Sequence, residues 1–290
     1  MTKNIGKSIR TRLLNLSKNE KQEYMKVLVR YLHERLLFRI SASPYKSHFL
    51  LKGSSLLFAL DGFKARPTID IDLLGERISN DRENLKEVFQ KVCAIECEDD
   101  GVTFDTHSLE LEPIAVEKKY PGTCVKVVAH LDTIVQQVSV DIGFGDVVTP
   151  YPLSLDYPLL LPDVPAVELY AYSLETLIAE KFHAMVDRDE SNSRMKDFFD
   201  VYHVYQLFTN HEIDRELLAE AIVSTFKNRN TPYRENLSLF TEKFASDATR
   251  NIWWKAFLKK IRWKEQIDFS VVMKCIKDNL QEYWRKDTFG

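Results

Sequence analysis

Along the first forty residues, Leu13, Leu14 and Leu16, then Tyr24, Val27, Leu28, Tyr31, Leu32 and Leu36, recur at three- and four-residue steps. That spacing puts side chains on one face of a helix, so residues 8–40 are predicted as one or two helices. Polar Ser17 to Glu20 forms the hinge and supplies an N-cap for the second helix. Pro44 marks a loop. The apolar run His48-Phe-Leu-Leu-Lys52, closed by Gly53, predicts a strand, and Ser54 to Leu60 a short helix ended by Asp61-Gly62. From Thr68 to Leu74 the pattern changes to period two, with Ile69, Ile71 and Leu73 directed to the core and Asp70 and Asp72 to the other face. Residues 81–97 predict a helix with Leu85, Val88, Phe89 and Val92 as its apolar stripe. Short strands follow at 102–104, 114–117, 124–131 and 138–144, separated by Gly, Pro and Asp signals.

Residues 150–167 are rich in proline and predict a connection between domains. Beyond it the periodicity is helical at 173–187, 194–209, 213–227, 235–245, 248–261 and 268–285. The expected fold class is α+β: a mixed β-sheet with flanking helices in the N-terminal half (1–160) and an all-helical C-terminal domain (161–290). No repeat or low-complexity segment interrupts this plan.

Composition changes the picture little. The 290 residues are 44% hydrophobic and 29% charged, enough to bury a core. The net charge of −3 excludes a polycation that coats nucleic acid, while leaving room for a local basic cleft. Cys93, Cys97, Cys124 and Cys275 have neither zinc-type spacing nor the density of a disulfide framework. With no signal-like apolar region at the N-terminus and no span of about 20 apolar residues, a cytoplasmic protein without a membrane segment is expected.

The chemistry centres on aspartates. On a strand, residues i and i+2 share a face, so Asp70 and Asp72 project together. Two carboxylates so close repel unless a cation lies between them. Their hard oxygens suit Mg2+ (or Mn2+), which keeps waters and phosphate oxygens in its shell. Asp141, alternating with Val140 and Ile142, is a third polar residue on a strand face, and Gly53-Ser54 at a helix start offers backbone N–H groups for phosphate. The plainer alternative for Asp70 and Asp72 is the solvated face of an edge strand. In the helical half, Lys181 flanks an apolar stripe and is either a cation for a triphosphate or a snorkelling surface lysine. Asp197 and Asp200, one turn apart, are either a base or supporting pair, or partners of the helix dipole. His183 reads as structural. The run from Trp253 to Lys264 mixes cations and aromatics, as a nucleic-acid surface does, or packs its tryptophans into a core; Lys227, Arg229 and Arg234 are further basic candidates.

Taken in order, Lys52-Gly53-Ser54-Ser55-Leu56, Arg66-Pro-Thr68-Ile-Asp70-Ile-Asp72, Val140-Asp141-Ile142, Glu180-Lys181-Phe-His-Ala184 and Arg194-Met-Lys-Asp197-Phe-Phe-Asp200-Val-Tyr202 resemble the AbiEii/AbiGii (MenT-like) toxin family. That family lies within the polymerase-β-type nucleotidyltransferase superfamily. The resemblance implies a toxin of a type IV-like toxin–antitoxin or abortive-infection pair. Such a toxin transfers NMP from an NTP, with Mg2+, to an RNA acceptor, in several members the tRNA 3′ end, and so blocks translation. An AbiEi-like cognate antitoxin is the implied partner. By the same resemblance Gly53, Ser54, Arg66 and Lys181 attend the NTP, Asp70, Asp72 and Asp141 bind metal, and Asp197 is the acidic residue of the last motif. The alternatives are a nucleotidyltransferase that modifies a protein or a small molecule, and a catalytically inactive nucleotide-binding module.

Overall fold

A computed structural model describes residues 4–114, 122–208 and 212–286. The chain divides into two compact units, Met1–Gly145 with Leu153–Ala171, and Asp146–Pro152 with Tyr172–Gly290.

The first unit opens with helices α1 (Ile5–Asn19) and α2 (Tyr24–Ala42). Lys21, in the left-handed region at φ 51°, makes the break between them. The N-cap of α2 is Glu23, whose side chain makes no capping bond, so the cap expected at Ser17 to Glu20 is not used. Instead Ser17 stays in α1 and donates to the Leu14 carbonyl. Helix α2 buries polar residues as well as apolar ones. Arg35 pairs with Glu34 at 2.7 Å and Arg39 with Asp100 at 2.7 Å. Glu34 also accepts from the Leu160 amide at 2.7 Å. Buried charges are retained only when paired and hydrogen-bonded in this way.

Next come β1 (Phe49–Leu51), α3 (Gly53–Asp61), β2 (Asp70–Gly75) and α4 (Arg82–Cys93), the last capped by the Asp81 carboxylate. The strands β3 (Val102–Ile114), β4 (Gly122–Leu131), β5 (Ile134–Phe144), β6 (Leu153–Tyr157) and β7 (Val167–Ala171) complete the unit. Among the described residues all seven strands form one sheet in the order β3-β4-β5-β2-β1-β7-β6. It is mixed: β2 runs parallel to β5 and β1 parallel to β7, while β1 is antiparallel to β2. The predicted mixed sheet is present, as is the helical C-terminal part.

Four details differ from the sequence reading. Ile69 is 79% exposed, because β2 begins one residue later; Ile71 and Leu73 are buried as expected. The short strand expected at 102–104 is the start of the long β3, which runs to Ile114; residues 115–117 of the predicted 114–117 strand lie outside the described residues. Pro113 did not end β3 because β3 is an edge strand, where a missing N–H costs no ladder bond. The proline-rich stretch 150–167 is more than a connection, since it contains the second edge strand, β6. Finally, the predicted 235–245 helix is a 3-10 turn at Ser238–Phe240 followed by the short α8.

The second unit is helical among its described residues: α5 (Leu174–Arg188), α6 (Met195–Leu207), α7 (Arg215–Asn228), α8 (Glu242–Ser246), α9 (Ala248–Ile261) and α10 (Phe269–Leu280). Its core is aromatic, with Phe182, Phe198, Phe199, Phe226, Trp254 and Phe269 buried. No helix among the described residues is long and apolar enough to cross a membrane.

Candidate active site

The first unit assembles its polar residues at the β1–α3 turn. The Lys52 amide donates to the Asp72 carbonyl at 3.0 Å, which carries the β1–β2 ladder to the turn. Gly53 then adopts φ +60°, a left-handed conformation that side-chain-bearing residues resist. A Cβ there would lie 2.4 Å from Asp72 Oδ2, so glycine is required twice over, for the turn and for the close approach. The approach brings Asp72 Oδ2 within 3.2 Å of both the Ser54 amide and the Ser54 hydroxyl, which donate to it. The first amides of α3 have no partner inside the helix, and Asp72 satisfies one of them as a capping carboxylate does. Ser55 and Thr68 hydroxyls both donate to the Asp70 carbonyl at 3.3 Å, which fixes the start of β2.

Asp70 and Asp72 lie two apart on β2, and Asp72 sits opposite Asp141 on the parallel neighbour β5. The alternation of side chains therefore places all three carboxylates on one face of the sheet, each half-buried. Arg66 is buried in the segment before β2; its carbonyl accepts from Arg30 Nη2 at 3.4 Å, and the Arg30 guanidinium lies 4.2 Å over the Phe58 ring of α3. A residue that spacing alone did not mark is Cys124, paired in register with Asp141 across β4 and β5. Burial, and then a hydrogen bond to the Asp141 carboxylate, push its thiol up to about 12, so it stays a protonated donor beside that carboxylate. Its signal in the sequence was only the alternation of β4.

The donor set suits a hard divalent cation: carboxylate oxygens on one open face, beside a serine hydroxyl and a helix N-terminus. Among the described residues no three carboxylate, imidazole or thiol groups are gathered closely enough to hold a metal unaided.

In the second unit Lys181 and Asp197 are brought into direct contact. Lys181 Nζ lies 2.9 Å from Asp197 Oδ1 and 2.7 Å from Asp200 Oδ2, and Arg194 Nε donates to Asp197 Oδ2 at 2.9 Å. The lysine is thus neither a snorkelling surface residue nor a loose one, since two carboxylates hold it. Burial raises the Asp197 carboxyl, but Lys181 and then Arg194 outweigh it and hold the group below the usual carboxylate range. Asp200, completely buried, is the second anchor of Lys181, legible only as an i, i+3 companion of Asp197. The His183 ring accepts at Nδ1 from Arg229 at 3.2 Å and meets Thr231 at 2.7 Å through Nε2. Arg229, a candidate for nucleic-acid contact by sequence, instead pairs with Asp146 at 2.7 Å and Glu180 at 3.2 Å. Arg234 likewise turns to the Val186 carbonyl.

The chain belongs to the family described as "Nucleotidyl transferase AbiEii toxin, Type IV TA system", which it matches over residues 35–274. Such a family implies a cognate antitoxin. Two solved structures from Helicobacter pylori are similar. One, described as a candidate nucleotidyltransferase, is 13% identical with a TM-score of 0.44, covering 84% of this chain and 100% of its own. The other, JHP933, is 14% identical with a TM-score of 0.41, covering 80% of this chain and 93% of its own. No curated protein matches the sequence.

Proposed function

We propose that the protein transfers NMP from an NTP, in the presence of Mg2+ or Mn2+, to an RNA acceptor, the 3′ end of tRNA, and thereby blocks translation. The observation that supports this most is the contact of Asp72 with Ser54 behind Gly53, with Asp70 and Asp141 on the same face. Asp70, Asp72 and Asp141 are the residues that would hold the metal. When bound, it supplies positive charge to the phosphates and to the departing pyrophosphate. Ser54 and the first amides of α3 orient the triphosphate, with Arg66 in the segment before β2. Lys181, held by Asp197 and Asp200, is a cation that the family resemblance assigns to the triphosphate. The terminal hydroxyl of the acceptor attacks the α-phosphorus: a new P–O bond forms, the bond to the bridging oxygen breaks, and pyrophosphate leaves with the electron pair. The hydroxyl proton passes to a carboxylate of the same face.

Incubating the protein with labelled NTPs, Mg2+ and unfractionated tRNA is expected to give labelled RNA. Asp70→Ala is expected to lower the rate by at least about 1000-fold, the scale of losing a preorganised charge-stabilising group. Undiminished labelling by that variant would remove Asp70 from the site.

A further inference from the structure

The outer face of α9 carries chemistry that the nucleotidyl-transfer site does not use. From Ala248 to Lys264 the chain holds Arg250, Lys255, Lys259, Lys260, Arg262 and Lys264 and no aspartate or glutamate, in a protein whose net charge is −3. A helix turns once in 3.6 residues, which sorts α9 into two sides. Arg250, Trp254, Phe257, Leu258 and Ile261 share the inward side. Trp254 is 1% exposed and donates from Nε1 to the Ile267 carbonyl at 2.6 Å, and the Arg250 guanidinium lies 3.9 Å over the Phe244 ring. Ile252, Trp253, Lys255, Ala256, Lys259 and Lys260 share the outward side, and all six are exposed. Packing therefore accounts for one tryptophan of the Trp253-Trp254 pair and leaves the other, 40% exposed, among lysines.

Lys26, Lys46, Lys126, Lys181 and Lys274 each have a carboxylate within ion-pair distance. Among the described residues, no ion pair involves Lys255, Lys259, Lys260 or Lys264. A stripe of cations without counter-charges presents a positive potential to a polyanion. An exposed indole beside it offers a flat surface on which an unpaired base stacks. An anionic membrane would be drawn to the same lysines but needs an apolar helix face to bury. The apolar side of α9 is already spent in the core, with only Ile252 and Trp253 facing out.

We propose that the outer face of α9 docks the RNA acceptor, its phosphates on Lys255, Lys259 and Lys260 and an unpaired base on Trp253. This rests on the RNA reading above. The test uses the full chain and unfractionated tRNA, with binding measured by filter retention over a range of salt and NTP binding measured separately by calorimetry. The triple variant Lys255→Ala, Lys259→Ala, Lys260→Ala is expected to bind tRNA at least about tenfold more weakly. Its log–log salt dependence should be shallower by about 2, since each phosphate contact contributes about 0.7 to 0.9. Trp253→Ala is expected to weaken binding about fivefold or more with the slope unchanged, because stacking releases no counterions. NTP affinity and melting temperature should match the parent in both, as surface positions allow. Variants that bind tRNA within about twofold of the parent, or a stripe whose loss affects only binding to phosphatidylglycerol vesicles, would overturn the proposal. If the parent itself neither binds nor labels tRNA, the RNA reading fails and takes this one with it. If the parent and the variants bind alike, only the role of α9 falls.

Discussion

At the scale of single residues, the site depends most on an atom that is absent, the Cβ of Gly53. A methyl group there would meet Asp72 Oδ2 at 2.4 Å in a backbone conformation, φ +60°, that alanine resists. Gly53→Ala is therefore expected to cost about 1–2 kcal/mol from the left-handed backbone alone. It should lower nucleotidyl transfer by at least about 100-fold by moving Asp72, the penalty of roughly 1 Å misplacement in a positioned site. Thermal denaturation and initial rates check the two parts separately. Wild-type rates in a folded Gly53→Ala protein would show that Asp72 need not hold this position. This arrangement was half legible. Gly-Ser before a short helix and Asp-x-Asp on a period-two strand could be read from the residues; the bond from Asp72 back to Ser54 could not, because it joins positions 18 apart through a turn whose geometry is tertiary.

At the scale of elements, α5 and α6 are joined by the Lys181–Asp197–Asp200 cluster. The Asp197 carboxyl lies below its ordinary range, so it binds fewer protons folded than unfolded near that range. Its stabilisation is complete at neutral pH and fades as pH falls through the ordinary carboxylate range toward the lowered folded value. Asp197→Asn is expected to destabilise the protein by about 1.5–3 kcal/mol at pH 7, the usual contribution of a hydrogen bond to a charged group. The gap from wild type should close as pH is lowered toward 3, the acid end of the ordinary carboxylate range. Chemical denaturation across that range checks it, and a gap independent of pH would contradict the assignment. Elements were legible where one periodicity ruled, as in α5, α6 and α9, whose bounds lie within a few residues of the pattern. They were not legible where topology overruled local signals. Pro113 reads as a break, yet the edge strand β3 tolerates it, and the edge strand β6 fits between Pro152 and Pro158 in a stretch that reads as a connection. The buried ion pairs of α2, Glu34 with Arg35 and Arg39 with Asp100, were also hidden, since a charged residue in sequence reads as exposed until its partner is placed.

At the scale of the whole molecule, the fold class and the family were both readable, because the motifs fall in order along the chain. The acceptor was not. A surface such as the outer side of α9 emerges only when packing has decided which tryptophan is buried. The most direct measurement supplies the wild-type protein with NTP labelled at the α-phosphate or, in parallel, at the γ-phosphate, together with Mg2+ and unfractionated tRNA. The α label is expected to enter the RNA while the γ label is released as pyrophosphate. Label that enters from the γ position, or RNA that acquires none from either, would contradict nucleotidyl transfer to RNA.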